Sequence, residues 1–415
     1  MLKVLYLTPW YPSDKDAMSG LFVQKHVEAV RAQGADVRVI FSQTLRDTWR
    51  QYKALEREGW TPDIVQLNVI QKQGLLALAL LEKEHIPYIV VEHWSGYLPE
   101  NGQFRRMSAL KQRLYLHIAR KASMVLTVSE PLQRAMKAAG FRAKRWGTIA
   151  NVVDEFFFDI SKSRHLDASK KIKTLLHVSC FDERAKNVKG LLRAAKMLSE
   201  KRQDWQLVLV GTGIDYEDVR AYAQDLNISD TLLRWTGELT PEQVAEEMHN
   251  ADAFVLSSRY ETYGVVLAEA SAAGLPILST PVGIAEEVGA LIVPQEIAQH
   301  KPGTFAEFME TILWNKQIIN HKSEIINTHS LALRRVNEVK VVYTGEYDPE
   351  IWRSQLEAEH WLLQPLRYTG EWLLESGCDA WEDDRNDNLD DTVRYILSHP
   401  FWRLSVQLHK IAGLR

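Results

Sequence analysis

Two glutamates eight residues apart, Glu261 and Glu269, have the spacing in this sequence that best suits ligand binding. The apolar run at 253–256 predicts a buried strand, and a helix is predicted to begin near Tyr263 with Thr262 as its N-cap. Glu261 then lies on a turn and Glu269 lies nearly two helical turns further on, so they cannot form a close acid/base pair. Each carboxylate can accept two hydroxyl hydrogen bonds, which suits a ribose diol at Glu269 and sugar hydroxyls at Glu261. The alternative is an amphipathic helix with two solvated glutamates.

The start of this helix is a candidate anion site. Its first free N–H groups are predicted on Tyr263, Gly264 and Val265. Free amides and the positive end of the helix dipole favour a pyrophosphate. Gly264 has no side chain and would let such a ligand approach the backbone closely.

A second cluster of charge follows the predicted strand 174–179. Arg184, Lys186 and Lys189 stand in one short loop at the carboxyl end of that strand, where parallel sheets bind ligands. Their clustering at this place favours a role in binding, and the alternative is that they only solvate a helix start.

A glycine pair, Gly211 and Gly213, invites a dinucleotide interpretation. Tyr216 stands where the third glycine of G-x-G-x-x-G is required, which argues against NAD. No D-x-D triplet ends a strand in the first half of the chain, so we expect no essential metal and no cofactor.

The elements that must position these residues alternate along the chain, which predicts parallel sheets covered by helices on both faces. The first series has strands at 3–7, 37–41, 63–67, 88–91 and 124–128 and helices at 21–33, 74–84, 104–121 and 131–139. After a polar linker, the second series has strands at 174–179, 206–210, 232–236, 253–256, 277–279 and 291–293 and helices at 188–201, 216–226, 241–250 and 263–273. The pattern predicts an α/β protein with two doubly wound Rossmann-like domains, 1–160 and 161–340, facing a cleft, and an appended helical segment, 341–415.

Bulk properties set limits on this interpretation. A chain of 415 residues is expected to form more than one domain. The formal charge of −4 gives no reason to expect nucleic-acid binding. Two cysteines exclude a disulfide framework and fit a reducing cytoplasm. The apolar runs are too short for a signal peptide or a membrane span, so we expect a cytoplasmic protein.

Two further residues lie in the first series. His93, beside Trp94, follows the predicted strand 88–91 directly, and a lone histidine there is by itself more often a structural hydrogen-bonding residue. Gly20 lies in the loop before the first helix, where Ser19 and Gly20 could form an ordinary N-cap turn.

Several segments together resemble retaining glycosyltransferase family four. The segment 257–276 resembles the E-x7-E signature of that family. The other matching segments are VGTG at 210–213, WTGEL at 235–239, ADAFVLSS at 251–258, VSE at 128–130 and IANVVDEFF at 149–157. The resemblance covers roughly residues 1 to 300.

The resemblance implies a GT-B fold and metal-independent sugar transfer, with retention, from a nucleoside diphosphate sugar to a glycan or lipid-linked acceptor. It implies a place in the synthesis of cell-surface polysaccharide or lipopolysaccharide. It assigns His93 and Glu261 to the catalytic centre, His93 for positioning and electrostatic support. The implied donor-binding residues are Gly20, Arg184, Lys186, Lys189, Gly211, Tyr263, Gly264, Val265 and Glu269.

One position departs from the family pattern. Lys186 matches the family lysine by spacing, but Cys180 stands where an arginine is usual, and Arg184 or Lys189 could compensate. The rival interpretations are another GT-B enzyme, such as a phosphorylase or epimerase, and a non-catalytic nucleotide-sugar-binding subunit.

The predicted helix 104–121 is basic and amphipathic. Its apolar stripe comprises Met107, Leu110, Leu114 and Ile118, and no acidic residue interrupts its cations. It suits docking on an anionic membrane, which would place the protein at the inner face. The alternative is a core-packed helix with a solvated basic face.

The end of the chain resembles another family. WLLQPL at 361–366 and WRLSVQLHKIAGLR at 402–415 are similar to the carboxyl end of 7-carboxy-7-deazaguanine synthase. That radical chemistry requires a three-cysteine cluster, and only Cys378 lies in this region. The activity is therefore not carried over, and we assign the segment no role.

Overall fold

Two parallel sheets flanked by helices have central strands rich in β-branched residues and leucine that are buried on both faces, while the outer strands are more exposed. The computed structural model describes residues 1–14, 19–159 and 172–315. Contacts divide these residues into two compact units. The first comprises Met1–Tyr97 and Gly102–Val152, and the second comprises Leu98–Asn101 and the described residues from Val153 to Asn315.

The first unit holds one six-stranded sheet. Its strands are β1 (Lys3–Thr8), β2 (Asp36–Phe41), β3 (Ile64–Asn68), β4 (Tyr88–Glu92), β5 (Met124–Thr127) and β6 (Trp146–Thr148). Its helices are α1 (Leu21–Ala32), α2 (Leu45–Arg57), α3 (Gly74–Glu84), α4 (Ala109–Lys121) and α5 (Glu130–Ala138). All pairs are parallel in the order β2-β1-β3-β4-β5-β6, so the strand order reverses at β1.

The second unit repeats the design. Its strands are β7 (Lys173–Val178), β8 (Trp205–Val210), β9 (Leu233–Gly237), β10 (Ala253–Leu256), β11 (Ile277–Ser279) and β12 (Leu291–Ile292). Its helices are α6 (Glu183–Lys186), α7 (Val188–Ser199), α8 (Tyr216–Asp225), α9 (Pro241–Asn250), α10 (Val265–Ala272), α11 (Gln295–His300) and α12 (Pro302–Trp314). The order is β12-β11-β10-β7-β8-β9, so it reverses at β7.

The core of the second unit is one apolar cluster. Leu191 and Leu198 of α7 share it with Phe305, Met309 and Ile312 of α12, all of them buried. The last described helix is therefore part of the packed domain and seals one face of its sheet.

The predicted α/β class with two doubly wound domains is confirmed. Several bounds agree to the residue, as at 74–84, 241–250, 253–256 and 277–279. The predicted domain boundary at 160 and everything after 315, including the tail and the segment 341–415, lie outside the described residues.

The predicted helix 104–121 was too long. Phe104–Arg106 forms a separate 3-10 turn, and Met107 adopts an extended conformation with φ −69 and ψ 156, so α4 begins only at Ala109. Helix α2 was not predicted. Its Leu45, Trp49, Tyr52 and Leu55 recur at helical spacing, but polar residues predominate and only Thr48 and Tyr52 are buried.

Candidate functional site

Two loops of the second unit lie side by side at the carboxyl ends of its central strands, where the strand order reverses. The chain leaves β7 and enters α6, which ends at Lys186, while the turn after β10 carries Glu261. Because β7 pairs with β10, the two loops are neighbours. Ligands of doubly wound sheets bind outside the carboxyl ends of the strands at such a reversal.

The structure brings Lys186 and Glu261 together as predicted members of one site. The Lys186 Nζ lies 2.5 Å from the Glu261 Oε1, and their side chains are only 15% and 13% exposed. The Ser258 hydroxyl donates to the same carboxylate oxygen at 2.7 Å. Sequence reasoning did not select Ser258, although it lies within the signature segment.

The ammonium group of Lys186 stays charged. Burial by itself lowers the pKa of Lys186, but the Glu261 carboxylate and the neighbouring Cys180 and Asp182 hold that pKa above its ordinary value. A fixed positive charge at a sheet edge can bind the oxygens of an incoming anion in place of Glu261.

The helix after the turn starts later than predicted. Gly264, with φ 78, is the N-cap of α10, so Thr262 is not the cap and the first helical residue is Val265. Helix geometry therefore leaves the amides of Gly264, Val265 and Val266 without a partner inside the helix, so two of the three predicted amides are retained and Tyr263 precedes the helix. Glu269 lies in the second turn of α10 and is 9% exposed.

The backbone at Tyr263, where the helix was predicted to start, contacts the loop at 283–284. Tyr263 is buried, and its carbonyl accepts the Ile284 amide at 2.9 Å. A Cβ on Gly283, which has φ 52, would lie 2.1 Å from the same carbonyl oxygen. The turn is thus held by close backbone contacts on its inner side.

Gly211 has a packing role. Its φ is 119, and a Cβ would lie 2.0 Å from the Ser179 carbonyl oxygen. Gly213 has the same relation to Phe181, whose amide a Cβ would approach to 2.5 Å. Both glycines let the end of β8 pack tightly against the loop that leads to Lys186.

The other cations of the loop point to different partners. The Lys189 Nζ pairs with Asp218 of α8 at 2.6 Å and lies 5.1 Å from the centre of the Tyr222 ring. Arg184 is exposed, as is the free thiol of Cys180. Of the three predicted cations, Lys186 is the one that contacts Glu261.

In the first unit, His93 follows β4 as predicted. It is buried, packs on Phe22 with ring centres 4.5 Å apart, and its Nε2 has no hydrogen-bond partner among the described residues. Burial and the nearby His26 hold the pKa of His93 well below its usual range, so the ring is neutral. Gly20, with φ 72, caps α1, and a Cβ there would lie 2.4 Å from the Trp10 backbone.

Glu92 was missed by sequence reasoning. Its Oε1 accepts the amides of His93 and Trp94, both at 2.9 Å, and its Oε2 accepts the Ile70 amide at 3.0 Å and the Tyr97 hydroxyl at 3.1 Å. Burial raises the pKa of Glu92 to about 7, and these four donors oppose that rise. The carboxylate therefore fixes the loop that carries His93.

Two family models match adjacent parts of this chain. Residues 2–155 match the model described as Glycosyltransferase Family 4, and residues 160–323 match the model described as Glycosyl transferases group 1.

Curated relatives are similar over part or most of the chain. N-acetyl-alpha-D-glucosaminyl L-malate synthase of Bacillus anthracis is 34% identical over 34% of this chain and 37% of its own length. Lipopolysaccharide 1,6-galactosyltransferase of Escherichia coli is 32% identical over 33% of this chain and 36% of its own length. The match thus spans little more than a third of these two relatives. A putative teichuronic acid biosynthesis glycosyltransferase of Bacillus subtilis is 20% identical over 78% of this chain and 94% of its own length.

Solved structures share the fold. Sucrose-phosphate synthase from Thermosynechococcus elongatus superposes with a TM-score of 0.65 at 17% identity, over 86% of this chain and all of that one. An Anabaena protein in complex with UDP-glucose superposes with a TM-score of 0.62 at 17% identity, over 83% of this chain and all of that one.

Because the pKa of Glu92 rises on folding, we expect the free energy of unfolding to depend on pH. Its pKa is raised from 4.5 to about 7 on folding, so its contribution to folding is present below pH 4.5 and is lost as pH rises towards 7. The unfolding free energy of the wild type minus that of Glu92→Gln should fall across this window by on the order of 3 kcal/mol. Urea unfolding at a series of pH values measures it, and a difference that does not change with pH would contradict the assignment.

Proposed function

We propose that the chain is a family 4-like glycosyltransferase of the GT-B fold, supported by the two models that match residues 2–155 and 160–323. It transfers a sugar, with retention, from a nucleoside diphosphate sugar to a glycan or lipid-linked acceptor. The observation that carries the proposal is the Lys186–Glu261 pair at the β7/β10 edge, directly before the start of α10. A cation, a carboxylate and a helix N-terminus at one sheet edge match the three chemical parts of such a donor.

Each part of the donor has a counterpart in this arrangement. Lys186 and the first amides of α10 would bind the diphosphate, Glu269 the ribose diol, and Glu261 the sugar hydroxyls. His93 would contact the sugar as a neutral ring, because its lowered pKa makes it a hydrogen-bonding group and a poor base near neutral pH.

In the proposed reaction, the main requirement is to stabilise the diphosphate as it leaves. The bond from sugar C1 to the diphosphate oxygen breaks, the acceptor oxygen bonds to C1 on the same face, and the acceptor proton passes to the diphosphate. Lys186 stabilises the charge that develops on that diphosphate, and this is the usual main contribution of such a site. No metal is required in this scheme, because the ammonium and the amides neutralise the leaving group.

Two relatives support a cell-surface glycan as the acceptor. One is a lipopolysaccharide galactosyltransferase and another a putative teichuronic acid glycosyltransferase, which supports a role in cell-surface polysaccharide or lipopolysaccharide synthesis. The UDP-glucose complex of a structural neighbour supports a nucleotide sugar as donor.

Binding without turnover is the second candidate. Cys180 stands where the family arginine is usual, Lys189 is paired with Asp218, and Arg184 is exposed. A chain of this kind would bind the donor and leave it intact.

Contact with an anionic membrane is a further part of the proposal, at the cytoplasmic face. Helix α4 leaves Leu110 79% exposed beside the exposed cations Lys111 and Arg113, and it buries Tyr115 and Ile118 against the unit. An exposed leucine among cations suits an anionic interface. No helix in the described ranges is long and apolar enough to cross a bilayer.

Substitution of Glu269 tests the donor site. A thermal-shift screen against UDP-, GDP- and ADP-sugars first selects the donor, because a ligand that binds the native state raises its melting temperature. Glu269→Ala should then weaken binding of that donor, by calorimetry, by about 1.5–3 kcal/mol, the range for hydrogen bonds to a charged group. The control is Glu246→Ala on the exposed face of α9, which should bind the donor normally. Unchanged affinity in Glu269→Ala would remove the ribose assignment.

Chelation tests the absence of a metal requirement. Transfer measured by release of the nucleoside diphosphate should proceed at the same rate after dialysis against EDTA as before it. Loss of activity that returns with added magnesium or manganese would contradict the scheme.

Charge reversal on α4 tests the membrane contact. The double variant Lys111→Glu, Arg113→Glu should bind phosphatidylglycerol-containing vesicles more weakly by at least roughly tenfold, since each cation near such a surface contributes about 1 kcal/mol. The matched control is Arg46→Glu, Arg50→Glu on the exposed face of α2, measured by co-sedimentation. Equal binding by the wild type and both double variants, or no binding to anionic vesicles at all, would overturn this part of the proposal.

A further inference from the structure

Arg259 links the signature segment to the loop that carries Lys186. Its guanidinium donates to the Glu183 carbonyl through Nη1, and through Nη2 to the Asn187 Oδ1 at 3.0 Å and the Glu183 Oε1 at 3.5 Å. Its own amide donates to the Ala185 carbonyl at 2.7 Å. One residue thus contacts both ends and the middle of α6.

The α6 turn needs such support. A helix of four residues is too short to be stable alone, and its last carbonyls lack partners within the helix. Its C-cap residue, Asn187, has a left-handed φ of 51, a conformation that few residues other than glycine and asparagine adopt. External hydrogen bonds must therefore hold the turn.

A neighbouring serine acts in the same direction. The Ser257 hydroxyl lies 3.0 Å from the Lys186 carbonyl and 3.2 Å from the Asn187 carbonyl. On the other side, the Gln295 side chain of α11 donates through Nε2 to the Ser258 carbonyl at 2.8 Å and to the Arg259 carbonyl at 3.1 Å. Residues 257–259, which hydrogen-bond to α6 and its C-cap, are therefore also hydrogen-bonded to α11.

The geometry has a consequence for Lys186. Glu261, which pairs with the lysine ammonium, lies two residues after Arg259. The same turn therefore provides the hydrogen bonds that hold the α6 backbone and the carboxylate that binds Lys186. A displacement of α6 would move the Lys186 Nζ relative to Glu261 and to the start of α10.

We infer that Arg259 is a positioning residue that acts through Lys186: by holding the α6 turn, it places the lysine ammonium where a donor diphosphate would bind. The inference rests on the diphosphate role proposed for Lys186. It assigns Arg259 no direct contact with the ligand, because the donors described above already face Glu183 and Asn187.

The test compares a diphosphate with its parent nucleoside. Calorimetry measures the affinity of each variant for UDP, GDP or ADP, whichever the wild type binds most tightly, and for the corresponding nucleoside. Arg259→Met should lower diphosphate affinity by about tenfold or more, the size expected for a charge-assisted contact, and change nucleoside affinity little. Arg259→Lys should recover only part of the loss, since an ammonium cannot reproduce the planar fork.

A double-mutant cycle separates positioning from general destabilisation. If Arg259 acts through Lys186, Arg259→Met combined with Lys186→Met should bind the diphosphate no more weakly than Lys186→Met alone. The matched control is Arg234→Met, which removes the Arg234–Glu247 pair between β9 and α9 in the same unit and should leave the diphosphate-to-nucleoside ratio unchanged.

The outcomes are distinct. Wild-type diphosphate affinity in Arg259→Met, or additive losses in the double variant, would overturn the positioning role. If Arg259→Met does not fold, wild-type affinity in Arg259→Lys would do the same. A wild type that binds none of the three diphosphates would contradict the proposed function itself, and the inference with it.

Discussion

The ion pair between Lys186 and Glu261 is the interaction on which the candidate site of the second unit depends. Both side chains are mostly buried, so each loses hydration, and their attraction offsets that cost only if their separation is well controlled. The surrounding polar contacts supply that control. Ser258 donates to the carboxylate, while Ser257 and Arg259 hold the backbone that carries the lysine.

The separation of Lys186 and Glu261 is set in the first place by the parallel sheet. Since β7 pairs with both β8 and β10, the loops that leave β7 and β10 emerge side by side. The glycines after β8 let the neighbouring loop approach closely, and the Phe181 amide donates to the Thr212 carbonyl at 2.9 Å. Backbone packing therefore sets the position of the charged groups before any ligand is present.

The first unit uses a buried carboxylate in an equivalent way. Glu92 ends β4 and draws in amides from its own loop and from Ile70, which follows the adjacent β3. An unpaired carboxylate in such a place would be costly, and four donors together offset that cost. The result is a rigid loop that presents the neutral ring of His93.

Local pattern determined the class of fold and many element bounds, because burial on one helix face or on both faces of a strand leaves a periodic trace in the sequence. It failed where an element is mostly polar or where the backbone conformation sets the bound. Helix α2 buries only Thr48 and Tyr52, and α10 begins at Val265 because the left-handed Gly264, held by its surroundings, delays the helix.

The sequence by itself also nominated Lys186 and Glu261, but it did not show which acidic residues Lys186 and Lys189 would meet. These lysines lie three residues apart around a left-handed Asn187, and tertiary contacts direct one to Glu261 and the other to Asp218. Glu92 could not be recognised either, because a single glutamate after an apolar strand is usually solvated. Only the tertiary structure decided these cases, since the partners that bury and satisfy each charge come from segments distant in the chain.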